Sequence, residues 1–556
     1  MKIKRSIVAP LVLALIALAS GGWLLQRGVS RDRNVYLQAR LFEEVLHHVS
    51  DRFVEEKDPA SLYRMAIDGL LQELGDPHSV FMTPEEYERL RVQTQGEYGG
   101  LGIQIDVRGG WVTVVAPLPG TPAERAGIQA GDRIIEVDGV STKGWTSDEA
   151  VGHLRGPKGS TVNLKIARVG IEEPLTFRIV RDEIHVASVP TAYMLDDRVG
   201  YVELTVFSES STQELRQAID RLRAQGMRGL ILDLRNNPGG LLDQGISVAD
   251  LFLDRGKLIS ETRSRVASQN QKYRAVDEDH YPGMPIVVLV GRWSASASEI
   301  LAGALQDHDR ALIVGETTYG KGSVQTLFPL SGGNHLKLTT ARWYTPLGRS
   351  IQKPYGIDRD RAAEEEEVEE EEGAVEERKT RPEEEFRTPM GRVVYGGGGI
   401  WPDVQVPYDT LATAEQEFVK SVQKYGSKFN DVVFDFAVRY AKAHPELKPG
   451  FPVGKELLDG FYRALGENGI RVDRSLYDRA HRWIGRLVAL EITNAKWGQQ
   501  EKRKRWNADD PQVQVAARLL REAPELNTLF ALAARYNGAG AGEAGKSAGV
   551  GVTPQR

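Results

Sequence analysis

The segment from Tyr281 to Gln325 constrains the fold more than any other part of the chain. It reads YPGMPIVVLVGRWSASASEILAGALQDHDRALIVGETTYGKGSVQ. The apolar, β-branched run Pro285–Val290, flanked by Pro and Gly, predicts a buried strand. An apolar-periodic helix opens at Glu299, and Ala311–Val314 predicts a second buried strand. Strands that alternate with helices in this way predict an α/β core.

Three serines, Ser294, Ser296 and Ser298, alternate with alanines between the first strand and the helix. A serine at such a turn has its hydroxyl exposed beside free helix N–H groups, which can hold an oxyanion. Serine needs a base to take its proton. Lys321, bracketed by glycines, is the candidate base provided that burial lowers its pKa. Gln325 could orient the amine through a hydrogen bond. Taken singly, a Ser/Ala run is also an ordinary helix cap and Gly-Lys-Gly an ordinary turn.

The order and spacing of SASASE (Ser294–Glu299) and GETTYGKGSVQ (Gly315–Gln325) resemble the carboxy-terminal processing peptidases, the serine–lysine proteases that include tail-specific protease. The resemblance implies that Ser296 is the nucleophile, Lys321 its base, and Gln325 the residue that positions the base. It also implies a crotonase-like α/β protease core that needs neither a metal nor an organic cofactor.

A second turn adds to the expected site. Gly229–Leu234 predicts a buried strand, which ends in NNPGG before the predicted helix Leu242–Phe252. Such a turn exposes backbone N–H groups at the carboxyl edge of a sheet. In the family this turn supplies one oxyanion donor and the residue after the nucleophile supplies the other, which implies Gly239 or Gly240 together with Ala297. A tight turn without a donor role is the alternative.

Residues 97–183 resemble a PDZ domain. The sequence YGGLGI matches the carboxylate-binding loop, and Pro122–Ser141 matches the PDZ helix–turn–strand consensus. The resemblance implies that loop N–H groups bind the terminal carboxylate of a peptide, which pairs with the adjacent strand edge. The residues implied in peptide binding are Gly100, Leu101, Gly102 and Ile103. Arg155 follows the predicted helix Asp148–Leu154, and it is either a coupler between peptide occupancy and the protease site or a solvated arginine.

The N-terminus predicts export. Lys2, Lys4 and Arg5 precede the uncharged apolar run Ile7–Leu25, which is just long enough to span a bilayer. The positive flank is expected to stay in the cytoplasm and the rest to lie outside it, on the periplasmic or cell-surface side. A signal anchor is favoured, while the small-x-small site Ala17–Ala19 leaves a cleaved signal peptide open. The chain contains no cysteine, which fits an extracytoplasmic protein.

The sequence therefore predicts a multidomain α/β protein with a PDZ domain of the inserted type and an extra C-terminal helical region. The predicted regions are a signal segment (1–29), N-terminal helices (30–96), the PDZ domain (97–183), the protease core (184–408), C-terminal helices (409–536) and a disordered tail (537–556). Within the core, the glutamate-rich insertion 358–398 is expected to be disordered because its charges repel one another. Homo-oligomerisation and substrate caging are both open for the C-terminal helices. The basic run Lys502–Arg505 is expected to be a solvated helix face, or else a contact for an acidic partner.

Together these features predict an extracytoplasmic serine endopeptidase that recognises unstructured protein C-termini through its PDZ domain. The net charge of −6 does not imply nucleic acid as a partner. A catalytically inactive PDZ adaptor is the alternative, and the complete Ser/Lys/Gln set argues against it. A crotonase-like acyl-CoA enzyme shares the βαβ layout but has no use for a peptide-binding module.

Overall fold

The computed structural model describes residues 35–353 and 384–543, which form two compact units. The expected signal segment, its apolar run 7–25 and the glutamate runs of the insertion lie outside these residues. Among the residues described, no helix is both long enough and apolar enough to cross a membrane.

The smaller unit contains the N-terminal helices. Helix α1 spans 35–52 and α2 spans Pro59–Gln72. Helix α2 begins with a proline at its first turn and is capped by Asp58, whose carboxylate accepts the Ser61 N–H at 3.0 Å. Strand β1 (Val80–Met82) follows and pairs antiparallel with residues 335–337. Several large apolar side chains of α1 are exposed: Val35, Leu37, Leu41, Phe42 and Val45.

The larger unit begins with helix α3 (Pro84–Gln95) and the residues predicted to form a PDZ domain. Their sheet has the order β3-β4-β5-β7-β8, with β6 paired to β5, while β2 pairs separately with β9. The strands are β2 Glu97–Gly100, β3 Ile103–Arg108, β4 Trp111–Pro117, β5 Arg133–Val137, β6 Val140–Ser141, β7 Thr161–Ala167, β8 Leu175–Val180 and β9 Asp182–His185. The helices are α4 Pro122–Arg125 and α5 Ser147–Leu154. Strand β3 therefore lies at one edge of the sheet.

A six-stranded sheet forms the core, in the order β10-β11-β12-β15-β16-β21. Its strands are β10 Thr191–Met194, β11 Val199–Glu203, β12 Gly229–Asp233, β15 Ile286–Val290, β16 Leu312–Gly315 and β21 Val404–Gln405. Only β10 runs antiparallel to its neighbour; the other pairings are parallel. Every residue of β11, β12, β15 and β16 is buried, as expected for parallel strands that are covered on both faces.

Helices α6 (Ser211–Ala224), α7 (Leu242–Asp250) and α8 (Ala297–Asp307) cover one face of this sheet. Leu230, Leu232 and other alternate strand residues pack with them in one apolar cluster. The predicted strand–helix alternation of the core is confirmed, with element ends that differ from the prediction by one or two residues.

The other face of the sheet is covered by helices from the C-terminal region. These are α15 (Pro511–Glu522) and α16 (Leu526–Glu543). Their apolar side chains share a cluster with the alternate strand residues, among them Ile231 and Val287. Residues far beyond the predicted end of the protease core therefore form one layer of its sandwich.

The remaining C-terminal helices pack mainly on one another. They are α9 Thr413–Gln423, α10 Ser427–Ala443, α11 Lys455–Glu467, α12 Arg474–Arg479, α13 His481–Trp497 and α14 Gln499–Ala508. Their apolar cluster contains aromatic side chains from several helices, including Phe418, Phe461 and Tyr477. The basic run in α14 is not simply solvated, because Arg503 forms an ion pair with Glu203 at the end of β11.

A smaller sheet is formed by β13 (Leu258–Arg263), β14 (Gln271–Arg274), β17 (Ser323–Pro329) and β18 (His335–Tyr344). Beyond it, β19 (Glu385–Arg387) and β20 (Val393–Tyr395) form an antiparallel hairpin. The expectation of disorder is wrong for this part of the insertion. Two interactions stabilise the hairpin: Val394 is buried, and Arg392 forms ion pairs with Asp309 and Asp403.

A buried polar network joins the end of β12 to the start of α15. Arg235 donates to Asp233 at 2.7 Å, to Asp510 at 2.7 Å and to Gln512 at 2.9 Å. Asp510 also caps α15, since its carboxylate accepts the backbone N–H of Gln512. The residue that precedes the NNPGG turn is therefore fixed by the C-terminal region.

We predict that Leu520→Ala destabilises the larger unit by about 2–5 kcal/mol, since it deletes buried methyl groups from the layer that covers the sheet. Leu520 is 2% exposed and contacts β12 near Gly229. Thermal denaturation should show a lower Tm. Arg518→Ala is the matched control, because Arg518 is exposed on the same helix, and it should stay within about 0.5 kcal/mol of the parent. Equal effects of both substitutions would contradict the packing described for α15.

Candidate active site

The turn between β15 and α8 has an unusual backbone conformation. Ser296 has φ +56°, a value that only two other non-glycine residues approach among those described, Asp138 and Asp309. Such a conformation is strained by about 1–3 kcal/mol and is found preferentially at functional sites. The strain occurs at the residue that the sequence predicts to be the nucleophile.

The three alternating serines have different environments. The hydroxyls of Ser294 and Ser298 are buried and donate to backbone carbonyls, at 2.8 Å to Leu234 and 2.9 Å to Asn237. Ser296, between them, is partly exposed. The outer serines therefore attach the turn to the loop after β12, while the middle serine faces the surface of the site.

The lysine loop follows β16. Lys321 is partly buried, and its carbonyl accepts the indole N–H of the buried Trp343 at 3.0 Å. Gly320 has φ +89°, and a Cβ there would lie 2.7 Å from the Lys353 side chain. The glycine before Lys321 is therefore required both by the backbone conformation and by the lack of space.

One buried carboxylate connects the serine turn to the lysine loop. Oε2 of Glu299 accepts the backbone N–H of Ser296 at 2.8 Å and that of Lys321 at 2.9 Å. Oε1 accepts the N–H of Gly320 at 2.7 Å and the hydroxyl of Thr318 at 2.5 Å. The two backbone nitrogens of Ser296 and Lys321 are therefore at most about 6 Å apart.

Glu299 is completely buried, and this burial raises the pKa of its carboxyl above the usual value. The hydrogen bonds from Thr318, Gly320, Lys321 and Ser296 act in the opposite direction, since they favour the charged form. The carboxylate is thus solvated by fixed donors of the two loops. Moving either loop would leave a buried acceptor without its partner, which costs about 1–3 kcal/mol.

The NNPGG turn lies against the serine turn. Asn237 is buried; its side-chain nitrogen donates to the Leu204 carbonyl at 2.9 Å, and its side-chain oxygen accepts the Gly239 N–H at 2.9 Å. Its carbonyl accepts the Ala295 N–H at 3.1 Å. Among the residues described, the N–H groups of Gly240 and Ala297 have no hydrogen-bond partner. Of the two predicted glycines, Gly240 therefore has the available N–H group.

Gln325 lies on β17, close to the lysine loop in sequence. Its side-chain nitrogen donates to the hydroxyls of Ser323 at 2.9 Å and Thr339 at 3.1 Å. These bonds fix the amide plane and leave the side-chain oxygen to accept a donor. This orientation suits the predicted role of Gln325.

Three of the four predicted peptide-binding residues, Leu101, Gly102 and Ile103, line a small groove of about 70 Å³ between β3 and α5. Gly100 does not line it; it ends β2 and pairs with Asp182 on β9. Leu101 and Gly102 are held by their carbonyls, which accept the Ala123 N–H at 3.0 Å and the Leu118 N–H at 2.9 Å. Their carbonyls therefore face away from the groove, as a loop that binds carboxylate through N–H groups requires. Arg155 borders the groove, with its guanidinium 4.4 Å from the centre of the Tyr98 ring.

The sequence predicts that Ser296 and Lys321 belong to one site, whereas its only prediction for Glu299 is that a helix begins there. A signal for its role was present. Ser-x-x-Glu is the capping-box pattern, in which the glutamate reaches back to the N–H of the capping residue. Here the same carboxylate also reaches the lysine loop, a contact between distant residues that no local pattern indicates.

Comparisons with known proteins agree with this architecture. Residues 198–363 match Peptidase family S41, and residues 113–168 match the PDZ domain. A carboxy-terminal-processing protease of Bartonella bacilliformis is 43% identical over 327 residues, which are 58% of this chain and 74% of that protein. The carboxy-terminal processing protease CtpA of Bacillus subtilis is 38% identical over 305 residues, covering 55% and 65%. A solved photosystem II D1 C-terminal processing protease is 34% identical and covers 56% of this chain and 83% of its own, with a TM-score of 0.34.

An α/β core with a PDZ domain and a strained serine turn defines a serine-type peptidase of the PDZ-containing kind. The chain belongs to the carboxy-terminal processing proteases of peptidase family S41.

We predict that Gly239→Ala lowers kcat/KM by at least about 10²-fold, a loss that a displacement of about 1 Å at an active site can produce. A Cβ on Gly239 would lie 2.7 Å from the Ala295 carbonyl and 2.8 Å from the Ser296 Cβ, so the two turns must separate. Gly256→Ala is the matched control, since Gly256 also has positive φ but open space around it. A peptidase assay gives kcat/KM for both variants. A Gly239→Ala enzyme as active as the parent would show that catalysis does not require the contact between the two turns.

We predict that Glu299→Gln lowers kcat by about 10²-fold or more with little change in KM, since an amide nitrogen in place of one carboxylate oxygen repels two of the four donors. Glu415→Gln is the control. Glu415 is buried and accepts the Ala412 N–H at 2.8 Å in the same helical position, within the C-terminal helices. Steady-state kinetics and Tm are measured for both. Equal loss of kcat in the two variants would mean that Glu299 acts only through stability.

Proposed function

We propose that this protein is an extracytoplasmic endopeptidase that uses a Ser296–Lys321 dyad and selects substrates by their C-termini. The observation that supports the dyad best is the Glu299 carboxylate, a single oxygen of which binds the N–H groups of both residues. The shared oxygen holds the backbone nitrogens of the two residues within about 6 Å of each other. A lysine side chain is long enough to reach a hydroxyl from that distance.

In the proposed reaction, the Ser296 oxygen attacks the scissile carbonyl carbon while neutral Lys321 takes the hydroxyl proton. When the tetrahedral intermediate collapses, the C–N bond breaks and the Lys321 ammonium returns the proton to the leaving amine. Water then attacks the resulting ester, with Lys321 again as base. The carboxylate product leaves, and the Ser296 hydroxyl is restored.

Gln325 and two backbone amides complete the proposed machinery. The side-chain oxygen of Gln325, which its two hydrogen bonds leave as an acceptor, would orient the Lys321 amine. The N–H groups of Gly240 and Ala297 would bind the oxyanion. A well-aligned donor of this kind contributes about 3–4 kcal/mol to transition-state stabilisation.

Substrate capture is assigned to the PDZ domain. A free C-terminus would enter the groove between β3 and α5, with its carboxylate at the amides of Leu101 and Gly102 and its strand paired with the free edge of β3. Action outside the cytoplasm rests on the N-terminal sequence, with its basic flank and apolar run. Unstructured protein C-termini are the substrate class that suits both parts.

We predict that Ser296→Ala abolishes cleavage of an unstructured peptide with an apolar C-terminus, and that it also abolishes covalent labelling by a fluorophosphonate. Lys321→Met should lower kcat by at least about 10³-fold, because the base that activates the serine is missing. Lys353→Met is the control, since Lys353 lies beside Gly320 and tests for a mere loss of local charge. Both assays use the full chain.

Turnover that persists in Ser296→Ala would end the dyad proposal. Peptide binding by the parent protein without cleavage or labelling would favour an inactive adaptor instead.

A further inference from the structure

Two large aromatic side chains beside the candidate active site are exposed to solvent. Trp293, three residues before Ser296, is 62% exposed, and Tyr319, two residues before Lys321, is 45% exposed. Tryptophan in particular is highly buried on average in folded proteins. Single exposed apolar residues are common on protein surfaces, but here two aromatic side chains accompany one reactive pair.

No contact within the described part of the chain accounts for these two side chains. Among those residues, the Trp293 indole N–H and the Tyr319 hydroxyl have no hydrogen-bond partner. Neither ring stacks on a second ring or on a cation there. Replacing a surface side chain without such contacts usually changes stability little. Both positions can therefore be substituted without unfolding the protein.

The loops that carry the two side chains run side by side. The Tyr319 N–H donates to the Ser294 carbonyl at 3.0 Å. Two residues further along both loops, the backbone N–H groups of Ser296 and Lys321 share one acceptor oxygen. The Cα atoms of Trp293 and Tyr319 are consequently at most about 11 Å apart. The exposed aromatic residues thus precede the proposed nucleophile and base on the same pair of adjacent loops.

The backbone that carries Trp293 is fixed. The Ser294 N–H donates to the Gly291 carbonyl at 2.8 Å, which closes a tight turn with Arg292 and Trp293 at its tip. The Arg292 guanidinium pairs with Glu316 of the lysine loop at 3.2 Å, so the turn is also tied to that loop. An aromatic side chain has only two rotatable bonds, and on a fixed backbone it loses little conformational freedom when a ligand binds.

The surroundings indicate the class of side chain that these rings can bind. Indole and phenol rings offer large apolar faces, and exposed Trp and Tyr often anchor protein partners. The Arg292 side chain, which is 65% exposed on the same turn, disfavours a second cation there. An uncharged apolar side chain is therefore the expected ligand.

We propose that Trp293 and Tyr319 form an aromatic subsite, which binds a large apolar side chain of the substrate within a few residues of the scissile bond. The inference rests on the proposed Ser296–Lys321 dyad and deepens it. The PDZ groove would select the C-terminus of the substrate, whereas the aromatic subsite would select the bond that is cut.

The test starts from an unstructured peptide with an apolar C-terminus, in which mass spectrometry locates the bond that the full-length parent cleaves. A leucine is then moved through the three positions before and the three positions after that bond, with serine at the others. Leucine at one of these positions should raise kcat/KM for that bond by at least about tenfold over the all-serine peptide. Lysine at the same position should bring no gain.

Variants assign this leucine gain to the two rings. Trp293→Ala and Tyr319→Ala should each lower the gain by at least about threefold, since each removes part of the apolar surface. Trp293→Phe should keep most of the gain. Arg292→Ala is the matched control, because Arg292 lies at the tip of the same turn and is similarly exposed, and it should keep the full gain. The gain is a ratio of two kcat/KM values for one variant, so a loss of folded enzyme does not change it.

The outcomes separate this inference from the proposed dyad. The subsite is refuted if leucine brings no gain at any of the positions, or if both alanine variants keep the gain of the parent. An equal loss of the gain in Arg292→Ala and Trp293→Ala would also refute it, because the effect would then belong to the shape of the turn. If the parent cleaves no peptide, or if Ser296→Ala still cleaves, the dyad proposal is itself wrong and this inference falls with it.

Discussion

The buried carboxylate of Glu299 is the interaction on which the site depends. An ionised group in a dry interior is stable only when donors replace its lost water, and here the donors come from the serine turn and the lysine loop alone. The two loops are also joined directly, since the Tyr319 N–H donates to the Ser294 carbonyl at 3.0 Å. Because both loops donate to the Glu299 carboxylate, the hydrogen bonds that offset its burial also fix the position of one loop relative to the other. The strained backbone of Ser296 is then tolerated because its N–H is held by the same oxygen.

Buried charges are likewise satisfied by fixed partners next to the NNPGG turn. Arg235 and Asp233 are buried charges, and Asp510 and Gln512 of helix α15 complete their hydrogen bonding. The helix also supplies the apolar side chains that cover the second face of the sheet. Residues separated by more than a hundred positions from the family's matched region therefore complete both the core and the support of the site. The protease core and the C-terminal helical region are therefore separate in sequence, but their side chains pack together in one apolar cluster.

Local sequence patterns were sufficient to predict most strands and helices of the core. Buried strands such as Ile286–Val290 have an apolar run between turn residues, and helix Ser211–Ala224 has a clear amphipathic period, so both could be predicted within two residues. Ser296 and Lys321 could be predicted to share one site because the two motifs and their spacing, through the family resemblance, specify them together. The contact of Glu299 with the Lys321 N–H and the pairing of Arg235 with Asp510 were not predicted. Each joins residues that are too far apart in sequence for hydrophobic periodicity to indicate the contact. The hairpin Glu385–Tyr395 was missed because neighbouring glutamates dominated the composition, whereas Arg392 and Val394 attach it to the core.

The place of helix α15 in the sandwich has a consequence for the newly made chain. The ribosome completes the serine turn and the lysine loop well before Pro511–Glu522. At about 5–20 residues per second, that interval lasts about 10–40 s. During this interval one face of the six-stranded sheet is not covered. Arg235 also lacks Asp510 and Gln512, two of the acceptors that hold it beside the NNPGG turn. A nascent chain of this kind cannot complete the hydrogen bonding of Arg235 until α15 has been made, so the order of biosynthesis delays assembly of the candidate active site by that interval.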